Sequence, residues 1–173
     1  TNKNRIIIDA GAELDGNAPL TILGVTEGES DCDAVLFTHH HGDHIGLMES
    51  IHDDIPLYMS ELSIDILKLQ NDRQQLFDAD VVSRIEPYFA AKELTFGDIK
   101  VTPFMVDHSA FDSHMFLIEA DGKRVLHTGD FRLHGFRGKG LIPTLKKYIG
   151  EVDALICEGT TLNRSSSPSM TEY

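Results

Sequence analysis

Three imidazoles and a carboxylate, at His39, His41, His44 and Asp43, fall within six residues of one another. In extended backbone, side chains two apart point the same way, so His39 and His41 can converge on one ion. Asp43 and His44 lie where the chain turns into a helix start and are free to face a second ion beside the first. Such a donor set suits Zn²⁺ or another borderline divalent metal. A polar loop with Asp43 as a helix N-cap would account for one of the four residues and leave the imidazoles unexplained.

Two further residues extend the set. His108 follows the apolar run Pro103-Phe104-Met105-Val106, the same placement as the first motif. A lone histidine there is more often structural, but a tetrahedral zinc site needs a third protein ligand beside His39 and His41. Asp130 stands at a strand end after Gly129, which lets the backbone come close, and a carboxylate there is suited to bridge two ions. His52, His114, His127 and His134 have no partner spacing and read as surface or satisfied core histidines.

The run His39-x-His41-x-Asp43-His44 after a Thr-ended strand resembles the metal signature of the metallo-β-lactamase superfamily. The resemblance runs from about Arg5 to Thr161. It implies an α/β sandwich of four αββα layers, with residues 1–160 forming a partial catalytic domain. His39, His41 and His108 would hold one metal and Asp43 and His44 a second, with Asp130 between them. Asp43 would also handle protons. Asp9, at the end of Arg5-Ile6-Ile7-Ile8, matches an aspartate that supports the metal loop from behind. The second metal usually takes one more histidine, and after His134 this chain has none. Two zinc ions are therefore expected in a complete protein, with manganese as an alternative.

Glu158-Gly159-Thr160-Thr161 and the serine-rich stretch after it resemble the first motif of the β-CASP nucleases, the ribonuclease J branch. That implies RNA phosphodiester hydrolysis by a metal-activated hydroxide. Residues 161–173 would be a linker and the start of a helix, with a capping box at Ser169-Met170-Thr171-Glu172 leading toward a β-CASP domain. Arg132, His134, Arg137 and Lys139 form a basic loop, either solvated or facing an anionic substrate. An ester, thioester or lactam hydrolase would use the same site, and the superfamily motif does not separate these substrates. A diiron oxidoreductase would typically carry Glu at His41. An inactive partner subunit would commonly have lost ligands of the first motif.

These residues need strands to deliver them. Arg5–Asp9 reads as a central strand with neighbours on both sides. Asp33–Phe37 delivers the metal loop, and Glu13–Asp31 is loop with at most one helical turn. Pro56–Met59 is a strand, capped by Ser60 before a helix whose Leu62, Ile66, Leu69 and Leu76 form a core stripe. Hairpins turn at Gly97-Asp98 and at Asp121-Gly122. Leu141–Ile149 reads as a helix, and Asp153–Cys157 as a buried strand.

The 173 residues suffice for one domain with a sizeable core and not for two. The net charge of −13 argues against broad nonspecific attraction to nucleic acid or anionic membrane. It does not exclude a phosphate substrate, since bound cations reverse the local sign. No apolar run is long enough to span a membrane. Two distant cysteines, Cys32 and Cys157, read as buried or half-buried thiols of a cytoplasmic protein. The sequence sets no oligomeric state.

Overall fold

A computed structural model of the chain describes residues 1–12 and 20–160. The expected linker and capping box at 161–173 lie outside them. Two sheets carry the fold. The first is parallel, in the order β1 (Ile6–Ile8), β2 (Ala34–Leu36), β3 (Leu57–Ser60), β4 (Ile85–Tyr88). The second runs β5 (Leu94–Phe96), β6 (Ile99–Met105), β7 (His114–Ala120), β8 (Lys123–His127), β9 (Ala154–Ile156), antiparallel except for the parallel β8–β9 pair.

Strand alternation creates three cores. From β2, Ala34 and Leu36 point between the sheets, meeting Tyr88, Ile99, Val101 and Phe116. Val35 and Phe37 point the other way. They pack with Met48, Leu67 and Val82 beneath the helices of the first sheet. On the second sheet, Met115, Leu117 and Leu126 pack under Leu141, Leu145 and Ile149. Helix, sheet, sheet, helix is the αββα order expected.

Several expectations need correction. β1 is an edge strand among the described residues, paired with β2 alone. Its apolarity has another cause: Ile7 packs in the helix-side core, while Ile6 and Ile8 pack between the sheets. The helix α2 (Glu61–Gln74) forms, but its buried face is Ser63, Ile64 and Leu67. Leu62, Leu69 and Leu76 are 45–62% exposed. Ser60 occupies the N-cap position without capping; its hydroxyl donates to the carbonyl of Asp112 instead. β9 is exposed along its length, and so is Cys157. The 141–149 segment begins as a short α-helix (Leu141–Thr144) and widens into a π-helical turn (Leu145–Ile149). Within the expected loop, residues 20–31 form turns, one of them closed by Thr26 N–H donating to the Ile22 carbonyl at 2.8 Å, and an isolated Leu23–Glu27 bridge; residues 13–19 lie outside the described residues.

The Asp121-Gly122 hairpin holds. Both residues have positive φ, 51° and 68°, as a two-residue turn matched to strand twist requires.

Candidate metal centre

The metal loop leaves β2 beside the second sheet: His114 N–H, at the start of β7, donates to the Thr38 carbonyl at 3.0 Å, and Gly129, after β8, lies against the Thr38 side chain. His41 precedes the short helix α1 (Gly42–Ile45), which carries Asp43 and His44. The Asp9–Ala12 segment straps this helix from outside: Ala10 N–H donates to the His44 carbonyl at 2.8 Å, and Leu47 N–H to the Ala10 carbonyl at 2.9 Å. His108 follows β6, and its loop is closed by Val106 N–H donating to the Ser113 carbonyl.

Donor atoms of His39, His41 and His108 lie within 4.8 Å of one another, and so do those of His39, His44 and Asp130. The two sets share His39. Nε2 of His108 is 3.4 Å from Nδ1 of His41. Asp130 turns Oδ1 toward Nε2 of His44, 3.6 Å away, and Oδ2 toward Nε2 of His108, 3.7 Å away. Asp43 sits at the rim, with Oδ2 3.7 Å from Nε2 of His44, and belongs to neither set.

Asp9 organises the ring orientations. Its φ of 60° bends the strand end so that the carboxylate reaches back to Thr38 and His44. Oδ1 accepts the Thr38 N–H at 2.7 Å, and Oδ2 accepts the Thr38 hydroxyl at 2.8 Å. Since that hydroxyl hydrogen is committed, the Thr38 oxygen 3.0 Å from Nδ1 of His39 must accept from it. Asp9 Oδ2 likewise accepts from Nδ1 of His44 at 2.8 Å. Both rings therefore carry their hydrogen on Nδ1 and present a bare Nε2 to the cluster, the arrangement metal-ligating histidines adopt.

Nε2 of His39 is fully buried and has no hydrogen-bond partner among the described residues. A buried polar atom left unpaired is costly, and a bound cation would satisfy it. Burial first, and the neighbouring imidazoles second, push the His39 pKa down to about 2, so the ring stays neutral and able to ligate. Burial opposes charge on His44 too, but its hydrogen bond to Asp9 and the nearby carboxylates outweigh it and raise its pKa. The donor set fits a divalent metal.

The supporting residues divide. Glu158 Oε1 accepts the Phe131 N–H at 2.6 Å and so braces the turn that carries Asp130. Arg132 donates from Nε to the buried Asp107 at 2.5 Å, behind His108. Gly129 has φ 53°, and a Cβ there would meet the His114 carbonyl at 2.9 Å, so only glycine brings Asp130 this close. His127 accepts the Gly129 N–H and is satisfied. His114 is buried, with Nδ1 on the Asp112 carbonyl. Sequence reasoning missed Thr38 and Asp107 as parts of the site. Thr38 ends a strand and Asp107 precedes a ligand candidate, but no spacing rule marks either.

An open groove of about 550 Å³ runs along His41, Asp43, Leu76 and Phe77. A second, of about 180 Å³, lies against His108. The larger cavity of about 760 Å³ beside Thr1–Ile6 follows the free edge of β1 and shares no residue with the cluster.

A two-sheet sandwich with a histidine-rich cluster at the strand ends is the build of a metal-dependent hydrolase fold. The family model described as the beta-lactamase superfamily domain matches residues 4–171, and the chain belongs to that superfamily in its metallo-β-lactamase form. The chain is 23% identical over 159 residues to "Exodeoxyribonuclease WalJ" of Streptococcus pneumoniae, covering 88% of this chain and 56% of that protein. It is 26% identical over 146 residues to "Ribonuclease J" of Helicobacter pylori, covering 77% of this chain and 20% of that protein. The chain thus spans about half of the first relative and a fifth of the second. The metallo-beta-lactamase fold protein YhfI of Bacillus subtilis superposes with a TM-score of 0.56 at 19% identity, over 90% of this chain and 59% of that one. No described helix is long and apolar enough to cross a membrane.

Proposed function

We propose that the chain carries the hydrolytic centre of a nuclease that cleaves phosphodiester bonds, with single-stranded RNA as its substrate and the cytoplasm as its location. The observation that carries this reading is Asp130, whose two oxygens face His44 and His108 separately. One carboxylate between two imidazole groups is the geometry of a paired-ion site. In this reading His39, His41 and His108 hold one zinc ion, and Asp43 and His44 hold the other, with Asp130 shared. Bound there, such ions would supply Lewis acidity, which acidifies water and neutralises charge on phosphoryl oxygens.

The chain's own residues do the rest. Asp9 and Thr38 hold the Nδ1 hydrogens of His44 and His39, so neither ring can rotate its bare nitrogen away. Glu158 fixes the backbone after Asp130. Asp43, with its side chain 39% exposed at the rim, takes and returns protons between the cluster and solvent. A deoxyribonuclease reading is supported by the name of the WalJ relative.

The test is hydrolysis of end-labelled single-stranded RNA and DNA by the zinc-loaded protein, beside lactam, thioester and carboxylic ester substrates. Asp43→Ala and Asp130→Asn serve as controls. Cleavage of nucleic acid abolished by either change supports the reading, and the preferred polymer settles RNA against DNA. Turnover of an ester or lactam with both polymers intact would sink it.

A further inference from the structure

The small groove against His108 brings two exposed aromatic rings to the edge of the cluster. Phe111 and Phe136 line it at 53% and 64% exposure, large apolar surface left in water at the mouth of the cluster. Each ring is accompanied by a cation: Arg137 lies over Phe111 and Lys139 over Phe136, both at 4.7 Å from the ring centroid. Arg132 lines the same groove. The chain has 28 acidic against 15 basic side chains, so a basic loop with interleaved aromatics is a local exception.

We infer that Phe111 and Phe136, with Arg137 and Lys139, form a stacking pocket for one unpaired base of a nucleic-acid strand, next to the phosphodiester held at the cluster. This rests on the nuclease reading above for the identity of the strand. At about 180 Å³ the groove is below the usual range for small-molecule pockets, about 300–1,000 Å³. A space of that size suits a single base, and a base is free to enter it only from an unpaired strand. Aromatic faces with cations beside them bind single strands sequence-tolerantly, because every base has a π-face while the cations pair with phosphates. His108 belongs to the lining, so a base in the groove sets the register of the adjoining phosphate against Asp130.

The test uses the chain in EDTA, which separates binding from hydrolysis. Fluorescence anisotropy measures affinity for a labelled single-stranded oligonucleotide and for an abasic strand of the same length and charge. The wild-type protein should prefer the base-bearing strand by about tenfold, the scale of one stacked base. Phe111→Ala/Phe136→Ala should erase that preference. Phe111→Leu/Phe136→Leu keeps apolar bulk, guards against misfolding, and should also erase it; unfolding midpoints accompany both. Equal wild-type affinity for the two strands, or a preference retained in both variants, overturns the pocket. Neither result depends on the hydrolysis assay, so a failed nuclease reading and a failed pocket are told apart.

Discussion

Asp9 Oδ2 and Nδ1 of His44 are 2.8 Å apart, across 35 positions of sequence, and the same oxygen accepts the Thr38 hydroxyl. A carboxylate can only accept here, so the neutral His44 ring keeps its hydrogen on Nδ1 and turns a bare Nε2 to the cluster. The outer partner of a ligating histidine typically contributes about 10–100-fold in metal affinity. Asp9→Ala should therefore weaken the ion near His44 and Asp130 by that factor, and the ion at His39, His41 and His108 less, because Asp9 reaches His39 only through the Thr38 hydroxyl. Chelator competition monitored by metal content checks this. An unchanged second affinity would remove Asp9 from the site.

Gly129 and Gly122 both have positive φ, 53° and 68°, but their surroundings differ. A Cβ at Gly122 meets nothing within 4 Å; at Gly129 it meets the His114 carbonyl and the Thr38 side chain at 2.9 and 3.1 Å. Gly122→Ala should cost about 1 kcal/mol, the left-handed penalty alone. Gly129→Ala should cost about 2–3 kcal/mol and displace Asp130, because backbone must also move. Urea unfolding of the two variants compares them. Equal losses would show that the close approach is not needed.

The pH dependence of the metal-free protein has a definite sign. Burial first, then the neighbouring His41, pushes the His40 pKa from its ordinary 6.5 down to about 4. The unfolded chain takes up that proton near pH 6.5 while the folded chain resists it. Stability should therefore fall as pH drops from about 6.5 to about 4 and be flat in this contribution above it. His39, pushed lower still, adds in the same direction. A urea midpoint series in EDTA should show the decline, and His40→Gln should make it shallower. A midpoint that rises toward pH 4 would contradict the assignment.

How much was legible from sequence follows from how local each feature is. His39, His41 and His44 sit in one loop, and their clustering needed only strand and turn geometry. The Asp121-Gly122 turn was equally local. Which face of α2 is buried was not, because Ser63 is buried against the carbonyls of Phe111 and Asp112, a contact set by a loop 48 residues away. A hydrophobic count favours the leucines and misses a buried serine. The edge position of β1 was hidden for a related reason. A strand packed on both faces is apolar whether or not both of its edges are paired. β4 went unseen because Ile85-Glu86-Pro87-Tyr88 is short and holds a proline, which an edge position tolerates.

Asp107 is the least legible member of the site and one of the most constrained. It is 7% exposed, directly before His108, and accepts from Arg132 Nε and from the Arg137 N–H. Its backbone carbonyl accepts the Arg132 N–H as well, at 2.7 Å. Burial alone would raise its pKa, but the Arg132 side chain and the backbone donors of Arg137 and Gly138 overcome that and lower it. Removing the charge of a buried carboxylate that holds several donors costs about 3 kcal/mol. Asp107→Asn should lose about that much stability. It should also free the 132–138 loop, so affinity at the His39, His41 and His108 set falls although no donor atom has been touched. The loss should be smaller at pH values low enough to protonate Asp107 in the parent protein, since the pair is then already broken. Thermal unfolding across pH, with metal titration of the variant at neutral pH, measures both effects. A variant as stable as the parent at neutral pH would mean that the 132–138 loop holds its place without this carboxylate.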